Sequence, residues 1–444
     1  MIYLDFAATS PLLPEARDAM LETMNLSVSG RLGNPSSLHS AGALGRDILE
    51  SARRSVGTLL HATPQEIIFT SGGTESNNSV LHTFSSSPIL VSKIEHPSVL
   101  RPAESYGDPC MKIPVDEQGI IDLDFLESTL VSLREKSSRR ILVSVMLANN
   151  EIGTIEPIEA VSKIIKHFKK VYLHVDATQA LGKIPVDVKN LGVDYLTASG
   201  HKLGGPVGIG ILFVRAGAPF TPLLLGGSQE LHRRAGTSNA VLAAGLKAAA
   251  DFTLNHDVIS AYATKVKPLR DYLAKGLLNE EHERGEICSS RASGGYGRPA
   301  PWDAARSVSD DGVRCLSPVT TGAKDTVPAE QARPQANCLP HLLTVSFPAC
   351  EGESTQLYLD LEQIFVSTGS ACASGDLTPS HVITALSKTP NDPAQIELAH
   401  NSIRFSLGLT TKKSDIDLLL KKLPPIIEKL QNLSTLTKER SPHA

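Results

Sequence analysis

The sequence lacks long apolar runs, paired cysteines and an excess of either charge. No stretch approaches the ~18 consecutive apolar residues that a membrane-spanning helix needs, so we expect no membrane association. Its six cysteines form no C-x-x-C pair, which excludes the usual spacing of zinc and redox sites, and we expect no resident metal. Lys and Arg (43) nearly balance Asp and Glu (47), which argues against direct binding to nucleic acid. Without a basic, apolar leader at residue 1, the chain is predicted to be cytoplasmic, with reduced thiols.

The hydrophobic pattern predicts an α/β protein. Between about residues 60 and 215, short apolar runs rich in β-branched residues alternate with amphipathic stretches. This alternation is typical of a mostly parallel sheet covered by helices on both faces. The predicted strands are 67–70, 89–92, 141–147, 171–175, 195–198 and 209–214, and the predicted helices include 74–84, 122–134, 158–168 and 240–252. A second α+β region follows, with predicted helices 266–279, 353–361 and 414–430 and strands 342–347 and 364–367.

These patterns divide the chain into two predicted domains. A large α/β domain covers 15–257, and a smaller α+β domain combines 1–14 with 258–444. Segment 284–337 differs from both, since it is rich in Gly, Pro, Ser and charged residues, has few Leu or Ile and has no Phe. Such a composition cannot bury enough apolar surface to offset the entropy of ordering, so we predict a low-complexity, disordered insertion there.

A lysine and an aspartate at the ends of two predicted strands indicate a cofactor site. Lys202 follows strand 195–198, and Asp176 follows strand 171–175. A lysine in this position can form a Schiff base with an aldehyde cofactor, and a buried carboxylate can keep a pyridine nitrogen protonated. Together they predict pyridoxal phosphate (PLP), although a solvated lysine and a helix-capping aspartate remain the simpler alternatives for each residue alone.

Other polar residues fit the same site. The loop with Gly73 and Thr74 follows a strand and opens a helix, which suits a phosphate group, although an ordinary capped loop has the same sequence. Ser199 and His201 can add hydrogen bonds to that phosphate, and Gln179 can donate to the phenolic oxygen of the cofactor.

Two further residues carry reactive groups. His96 follows a predicted strand and can stack on the cofactor ring and move protons near neutral pH, although a lone histidine is more often structural. Cys372 lies among Gly, Ser and Ala residues, a setting typical of a mobile, exposed nucleophile rather than a buried structural thiol.

Two residues are candidates for binding an amino-acid substrate. Arg404 lies within an apolar strand pattern, where an inward guanidinium needs an anionic partner. That partner can be the carboxylate of a bound amino acid or an internal acidic side chain. Asn150 follows predicted strand 141–147 and can contact substrate or cofactor.

The combined motifs resemble the PLP-dependent cysteine desulfurases of the NifS/IscS type, in the class V aminotransferase family of PLP fold type I. The resemblance covers the chain except for the insertion. Its further motifs are at 3–9, 33–39, 234–237 and 402–408.

The resemblance implies a role for each candidate residue. Lys202 would carry the Schiff base, Asp176 and Gln179 would hold the ring, and His96 would stack on it. The implied phosphate-binding residues are Gly73, Thr74, Ser199 and His201, together with Thr237 acting on the cofactor of a neighbouring subunit in a homodimer. Asn150 and Arg404 would hold the substrate carboxylate, and Cys372 would accept sulfur.

The predicted activity is therefore conversion of L-cysteine to L-alanine, with sulfur held on Cys372 as a persulfide. The resemblance implies an acceptor protein, either an iron–sulfur scaffold or a tRNA-thiolation protein, and leaves open a transient iron–sulfur contact through Cys372. Two alternatives stay open. One is a selenocysteine lyase, and the other is a catalytically impaired PLP-binding protein that carries sulfur.

Overall fold

A computed structural model describes residues 1–278, 313–317, 338–369, 378–389 and 391–439. The chain forms two compact units. The larger unit contains Ala7–Asn150 and Ile155–Ala261, and the smaller contains Met1–Phe6, Glu151–Thr154 and the chain from Tyr262 onward.

A seven-stranded sheet organises the larger unit. Its strands are β2 (Ile67–Thr70), β3 (Ile89–Ser92), β4 (Cys110–Ile113), β5 (Ile141–Ser144), β6 (Val171–Asp176), β7 (Tyr195–Ser199) and β8 (Gly210–Val214). Their order is β2-β8-β7-β6-β5-β3-β4, and β8 alone runs against its neighbours. The central strands are buried along their whole length, as expected when helices cover both faces.

Helices flank this sheet. They are α1 (Pro14–Val28), α2 (Ser40–Leu60), α3 (Gly73–Thr83), α4 (Pro97–Tyr106), α5 (Leu123–Lys136), α6 (Ile158–Ile165), α7 (Val188–Leu191), α8 (Gln229–His232), α9 (Ala240–Asn255) and α10 (Val258–Ala261), with 3-10 turns at Pro64–Glu66 and Gly200–Lys202. Side-chain caps define several starts: Asp122 accepts from the Phe125 N–H, and Asn239 accepts from the Leu242 N–H. Apolar side chains from α3 and α4 pack against the sheet in a core that includes Phe84 and Tyr195.

The described part of the smaller unit contains two short sheets. Strands β1 (Ile2–Tyr3) and β11 (Ile364–Phe365) pair in parallel, and β9 (Arg314–Cys315), β10 (Leu342–Ser346), β12 (Ser367–Thr368) and β13 (Ser402–Ser406) form an antiparallel sheet in the order β12-β13-β10-β9. Its helices are a π-helical turn (Tyr262–Val266), α11 (Lys267–Leu278), α12 (Gly352–Leu361), α13 (His381–Ala385), α14 (Pro393–His400) and α15 (Lys413–Glu439).

The predicted α/β class with a large, mostly parallel sheet is confirmed. The structure groups residues 7–14 with the larger unit, whereas the sequence pattern groups 1–14 with the smaller one. Hydrogen bonds explain the difference, since the carbonyls of Ala7 and Ala8 accept from Lys202. No helix in the described ranges combines the length and apolarity needed to cross a membrane.

The disorder predicted across 284–337 stays a prediction, and the structure describes residues 313–317 of that segment. Cys315 pairs with Val345, the Leu316 N–H donates to the Thr344 carbonyl at 2.8 Å, and Ser317 is buried. These pairings satisfy backbone N–H and C=O groups of residues 313–317. The composition of the whole segment 284–337 gives no sign of this short paired stretch. The rest of that predicted insertion lies outside the described residues.

Candidate active site

Most predicted cofactor residues lie at one edge of the large sheet. Strand β2 leads into Gly73, β6 ends at Asp176, and β7 ends at Ser199 and leads to Lys202. These strands run in the same direction, so their carboxyl ends share one edge, where α/β proteins bind ligands.

Three segments converge around the start of α3. A methyl group built on Gly73 would lie 3.3 Å from Thr178 Oγ1 and 3.8 Å from the Ser199 Cβ. Thr178 Oγ1 is buried and has no hydrogen-bond partner among the described residues. An 11-residue helix offers its N-terminal N–H groups here, and Thr74 lies in its first turn. The arrangement therefore fits an anion such as a phosphate group.

Asp176 is buried and held by two donors. Its Oδ1 accepts the Thr178 N–H at 2.9 Å, and its Oδ2 accepts from Asn77 Nδ2 at 2.8 Å. Gln179 donates through Nε2 to the Ala7 carbonyl at 3.0 Å, and its buried Oε1 has no hydrogen-bond partner in the described ranges. A fixed carboxylate and an unsatisfied amide oxygen fit a heteroaromatic ligand with polar substituents.

Lys202 is fixed at both its side chain and its backbone. Its Nζ donates to the Ala7 carbonyl and, at 2.6 Å, to the Ala8 carbonyl. Its own carbonyl accepts from Ser10 Oγ at 3.0 Å and from Lys183 Nζ at 2.5 Å. Burial lowers the pKa of Lys183 to about 7, and the charge of Lys202 contributes to the same shift. A buried amine, Lys183, and a half-buried one, Lys202, thus lie close together at the predicted cofactor site.

Burial keeps two histidines of this region neutral near pH 7. It lowers the pKa of His201 to about 4, helped by the charges of Lys202 and Lys183, and Nδ1 of this ring lies 3.1 Å from Thr9 Oγ1. His174 on β6 also has a pKa lowered to about 4 by burial, against the opposing effect of Asp176. A neutral His201 can still donate one hydrogen bond to a phosphate oxygen.

His96 lies just before α4, and its ring contacts Ser98 in the first turn of that helix. Its Nδ1 lies 3.1 Å from the Ser98 backbone nitrogen and 2.8 Å from Ser98 Oγ. Ser98 Oγ also accepts from Asn77 Nδ2 at 2.9 Å, and Asn77 contacts Asp176. The structure therefore connects two predicted site residues, His96 and Asp176, through two that sequence reasoning missed.

An exposed loop carries Thr237. Before it, Glu230 forms a buried bidentate ion pair with Arg53, with N–O distances of 2.7 and 2.9 Å. Arg234 forms a second pair with Glu75 at 2.8 Å. Thr237 itself is exposed in this chain, and these two pairs fix the segment that leads to it.

The candidate substrate-binding residues belong to different units. Asn150 is buried in the larger unit, and Arg404 is buried on β13 in the smaller one. Arg404 Nη2 lies 3.1 Å from Asp5 Oδ1, so the internal ion pair that the sequence left open is present. Burial raises the pKa of Glu151 to about 7, against the opposing effects of its hydrogen bond with Ser380 and the Arg404 charge.

Cys372 lies outside the described residues. The structure describes Cys110, Cys315, Cys338 and Cys350. Burial raises the pKa of Cys338 and of Cys350 to about 12 and also raises that of Cys110, so these three thiols are poor nucleophiles near neutral pH. In the described ranges, no group of three or more His, Cys, Asp or Glu residues could hold a metal ion.

Sequence reasoning missed Asn77, Ser98, Thr178 and Lys183. The first three lie within one to three residues of a predicted site residue, so each motif offered a signal through its neighbours. Lys183 had no such signal, because only the tertiary fold brings its side chain to the Lys202 carbonyl.

Comparisons with known proteins agree with this fold. The model of the aminotransferase class-V family matches residues 2–292 and 325–419. Cysteine desulfurase IscS of Dictyoglomus turgidum is 39% identical, and the match covers 99% of this chain and 97% of the relative. Cysteine desulfurase NifS of Azotobacter vinelandii is 35% identical, with 98% of this chain and 94% of the relative covered. The solved structure of a NifS-like protein from Rickettsia africae superposes with a TM-score of 0.76 at 30% identity, covering 96% of this chain and 99% of that one.

The fold and the family match thus identify a PLP-dependent enzyme of fold type I. The chain belongs to the aminotransferase class-V family, and the relatives named above confirm its resemblance to the NifS/IscS group.

Proposed function

We propose that this protein is a cysteine desulfurase that converts L-cysteine to L-alanine and holds the released sulfur on Cys372. The near full-length similarity to curated relatives named cysteine desulfurase carries the proposal. The larger unit supports it, because Lys202, the carboxylate of Asp176 and the N-terminus of α3, which suits an anion, lie at the same edge of the large sheet.

The residues of the larger unit fit PLP. Gly73, Thr74, Ser199 and His201 would bind its phosphate, and Asp176 and Gln179 would hold its ring. When bound, PLP stabilises negative charge at the α-carbon of an amino acid.

The protein side chains have distinct tasks in this proposal. Lys202 anchors the cofactor and then removes a proton from the α-carbon of the substrate. His96 covers one face of the ring. Asn150 and Arg404 orient the substrate carboxylate, and Asp5 holds the guanidinium of Arg404 in place.

The sulfur transfer is balanced without another reactant. The Cys372 thiolate bonds to the sulfur of L-cysteine as the carbon–sulfur bond of the substrate breaks. The bonding electron pair stays with the carbon, which takes up a proton, and return of the α-proton then gives alanine. The enzyme retains one extra sulfur as a persulfide, which makes it a sulfurtransferase.

We further propose a homodimer in which the exposed Thr237 reaches the phosphate bound by the neighbouring subunit. A protein acceptor would then take the sulfur from Cys372 for iron–sulfur cluster assembly or tRNA thiolation. A cytoplasmic location remains a prediction from the sequence.

The test is incubation of the PLP-loaded protein with L-cysteine, followed by alanine assay and mass spectrometry of the Cys372 peptide. We expect alanine and one added sulfur on Cys372 in the parent and in Cys110→Ala, and no persulfide in Cys372→Ala. Cys110 is a matched control because its thiol has a raised pKa. Turnover of selenocysteine with none of cysteine would favour a selenocysteine lyase. Bound PLP without alanine would favour the sulfur-carrying alternative.

A further inference from the structure

A continuous hydrogen-bonded chain joins His96 to Asp176. Asn77 Nδ2 lies 2.8 Å from Asp176 Oδ2 and 2.9 Å from Ser98 Oγ. Ser98 Oγ lies 2.8 Å from His96 Nδ1. The proposed function gives Asn77 and Ser98 no task, although they contact two residues of the cofactor site.

The chemistry of the groups fixes the orientation of the Asn77 amide. An ionised carboxylate only accepts hydrogen bonds, so the nitrogen of Asn77 must face Asp176. Its two N–H bonds account for the contacts with Asp176 and Ser98. Asn77 Oδ1 is buried with no hydrogen-bond partner in the described part of the chain, so the contact with Asp176 persists although it leaves this oxygen unsatisfied.

The same reasoning assigns the proton on the His96 ring. The Ser98 backbone N–H can only donate, and it points at Nδ1 from 3.1 Å. Ser98 Oγ already accepts from Asn77, so its hydroxyl proton is available to donate to Nδ1 as well. Nδ1 must therefore carry its lone pair, and a neutral ring then has its proton on Nε2.

We propose that Ser98 and Asn77 are positioning residues that hold neutral His96 in the Nε2–H form while orienting the Asp176 carboxylate. His96 then acts through Nε2 as a hydrogen-bond donor to a bound ligand, and proton removal falls to Lys202. The assignment of ligand and base rests on the proposed function, whereas the ring form of His96 does not.

The test is nitrogen NMR of PLP-loaded protein labelled with ¹⁵N at histidine, with His96→Gln used to assign the signals. Two-bond proton–nitrogen correlations distinguish the two neutral forms. We expect a protonated Nε2 and an unprotonated Nδ1 for His96. A proton on Nδ1 of the parent protein would overturn the proposal, whatever its activity with cysteine.

Two variants separate positioning from a merely structural role. Asn77→Asp replaces the donor to Ser98 with an acceptor, so the Ser98 hydroxyl turns away from His96 and its hydrogen bond to Nδ1 is lost. We expect a changed Nδ1 signal, while the Ser98 backbone N–H still donates to Nδ1. Asn78→Asp adds the same charge one residue later, where the side chain contacts the Thr74 carbonyl, and should leave the Nδ1 signal unchanged. Equal spectra for the two variants would also overturn the proposal. Absence of alanine production by the parent protein, with its Nε2–H form present, would contradict only the proposed function.

Discussion

The buried ion pair between Arg53 and Glu230 offers a quantitative test of how the segment leading to Thr237 is held. Their side chains are 9% and 3% exposed. Glu230 Oε2 also accepts the Phe69 N–H at 3.1 Å, and Arg53 Nη1 donates to the Ile67 carbonyl at 2.7 Å. The pair therefore joins α2, β2 and α8.

Glu230→Gln removes the charge and places an amide N–H₂ against the guanidinium of Arg53. Breaking one side of a buried pair costs about 3–5 kcal/mol, and we expect about 3 because the amide oxygen can keep one contact. The strained backbone adds to the sensitivity of this site, since Glu230 and the two residues after it all have positive φ.

The assay is equilibrium unfolding in urea, with Asp251→Asn as the matched control. Asp251 pairs with Lys247 on the helix surface, where such a pair contributes about 0.3–0.5 kcal/mol. The double variant with Arg53→Met should lose less stability than the sum of the single variants, because it leaves no unpaired charge. A change below about 0.5 kcal/mol for Glu230→Gln would show that the pair with Arg53 does not hold this segment.

Three further predictions follow from single contacts. Burial raises the pKa of Glu156 from 4.5 to about 8, so the folded state binds more protons than the unfolded state and its stability falls as pH rises between these values. Glu156→Gln should reduce the difference in stability that urea unfolding measures between pH 5 and pH 8. An unchanged difference would contradict this prediction. Gly210→Ala would place its Cβ 2.5 Å from the Gly72 backbone, so we expect weaker PLP binding in an absorbance titration, with parent-like affinity as the contrary result. Arg404→Lys keeps the positive charge near Asp5 but loses the planar guanidinium that can bind a carboxylate with two hydrogen bonds. The KM for L-cysteine should therefore rise about tenfold, with the PLP content unchanged. An unchanged KM would show that Arg404 does not bind the substrate.

The sequence predicted the large sheet well because its strands are short, continuous apolar runs. Strands β2 and β3 begin and end at the predicted residues, since both are buried along their whole length. Strand β4 at the sheet edge was missed, because its residues are partly exposed and carry no such pattern. Helices α1 and α2 were also missed, and it is packing against α9 in the folded chain that fixes their place.

The predicted site residues belong to motifs that are local in sequence. Asp176 and Lys202 each end or follow a strand, a position that sequence reasoning can assign. The contacts of Asn77 with Asp176 and of Lys183 with Lys202 join residues that are distant in the chain or on different turns. Such contacts depend on the tertiary fold, so no periodicity indicates them.

Arg404 can form an internal ion pair and also bind the carboxylate of a substrate. The sequence required an anionic partner, and Asp5 supplies one within the smaller unit. A guanidinium has five N–H donors, so a contact with Asp5 is compatible with a second carboxylate. The substrate role of Arg404 therefore stays a proposal that its lysine variant tests.

Sulfur transfer to Cys372 can be measured by the mass of the Cys372 peptide after a single turnover with ³⁴S-labelled L-cysteine. We expect one labelled sulfur on Cys372 and one alanine released for each sulfur bound. Alanine release at the parent rate from Cys372→Ala, or label on another cysteine, would contradict it.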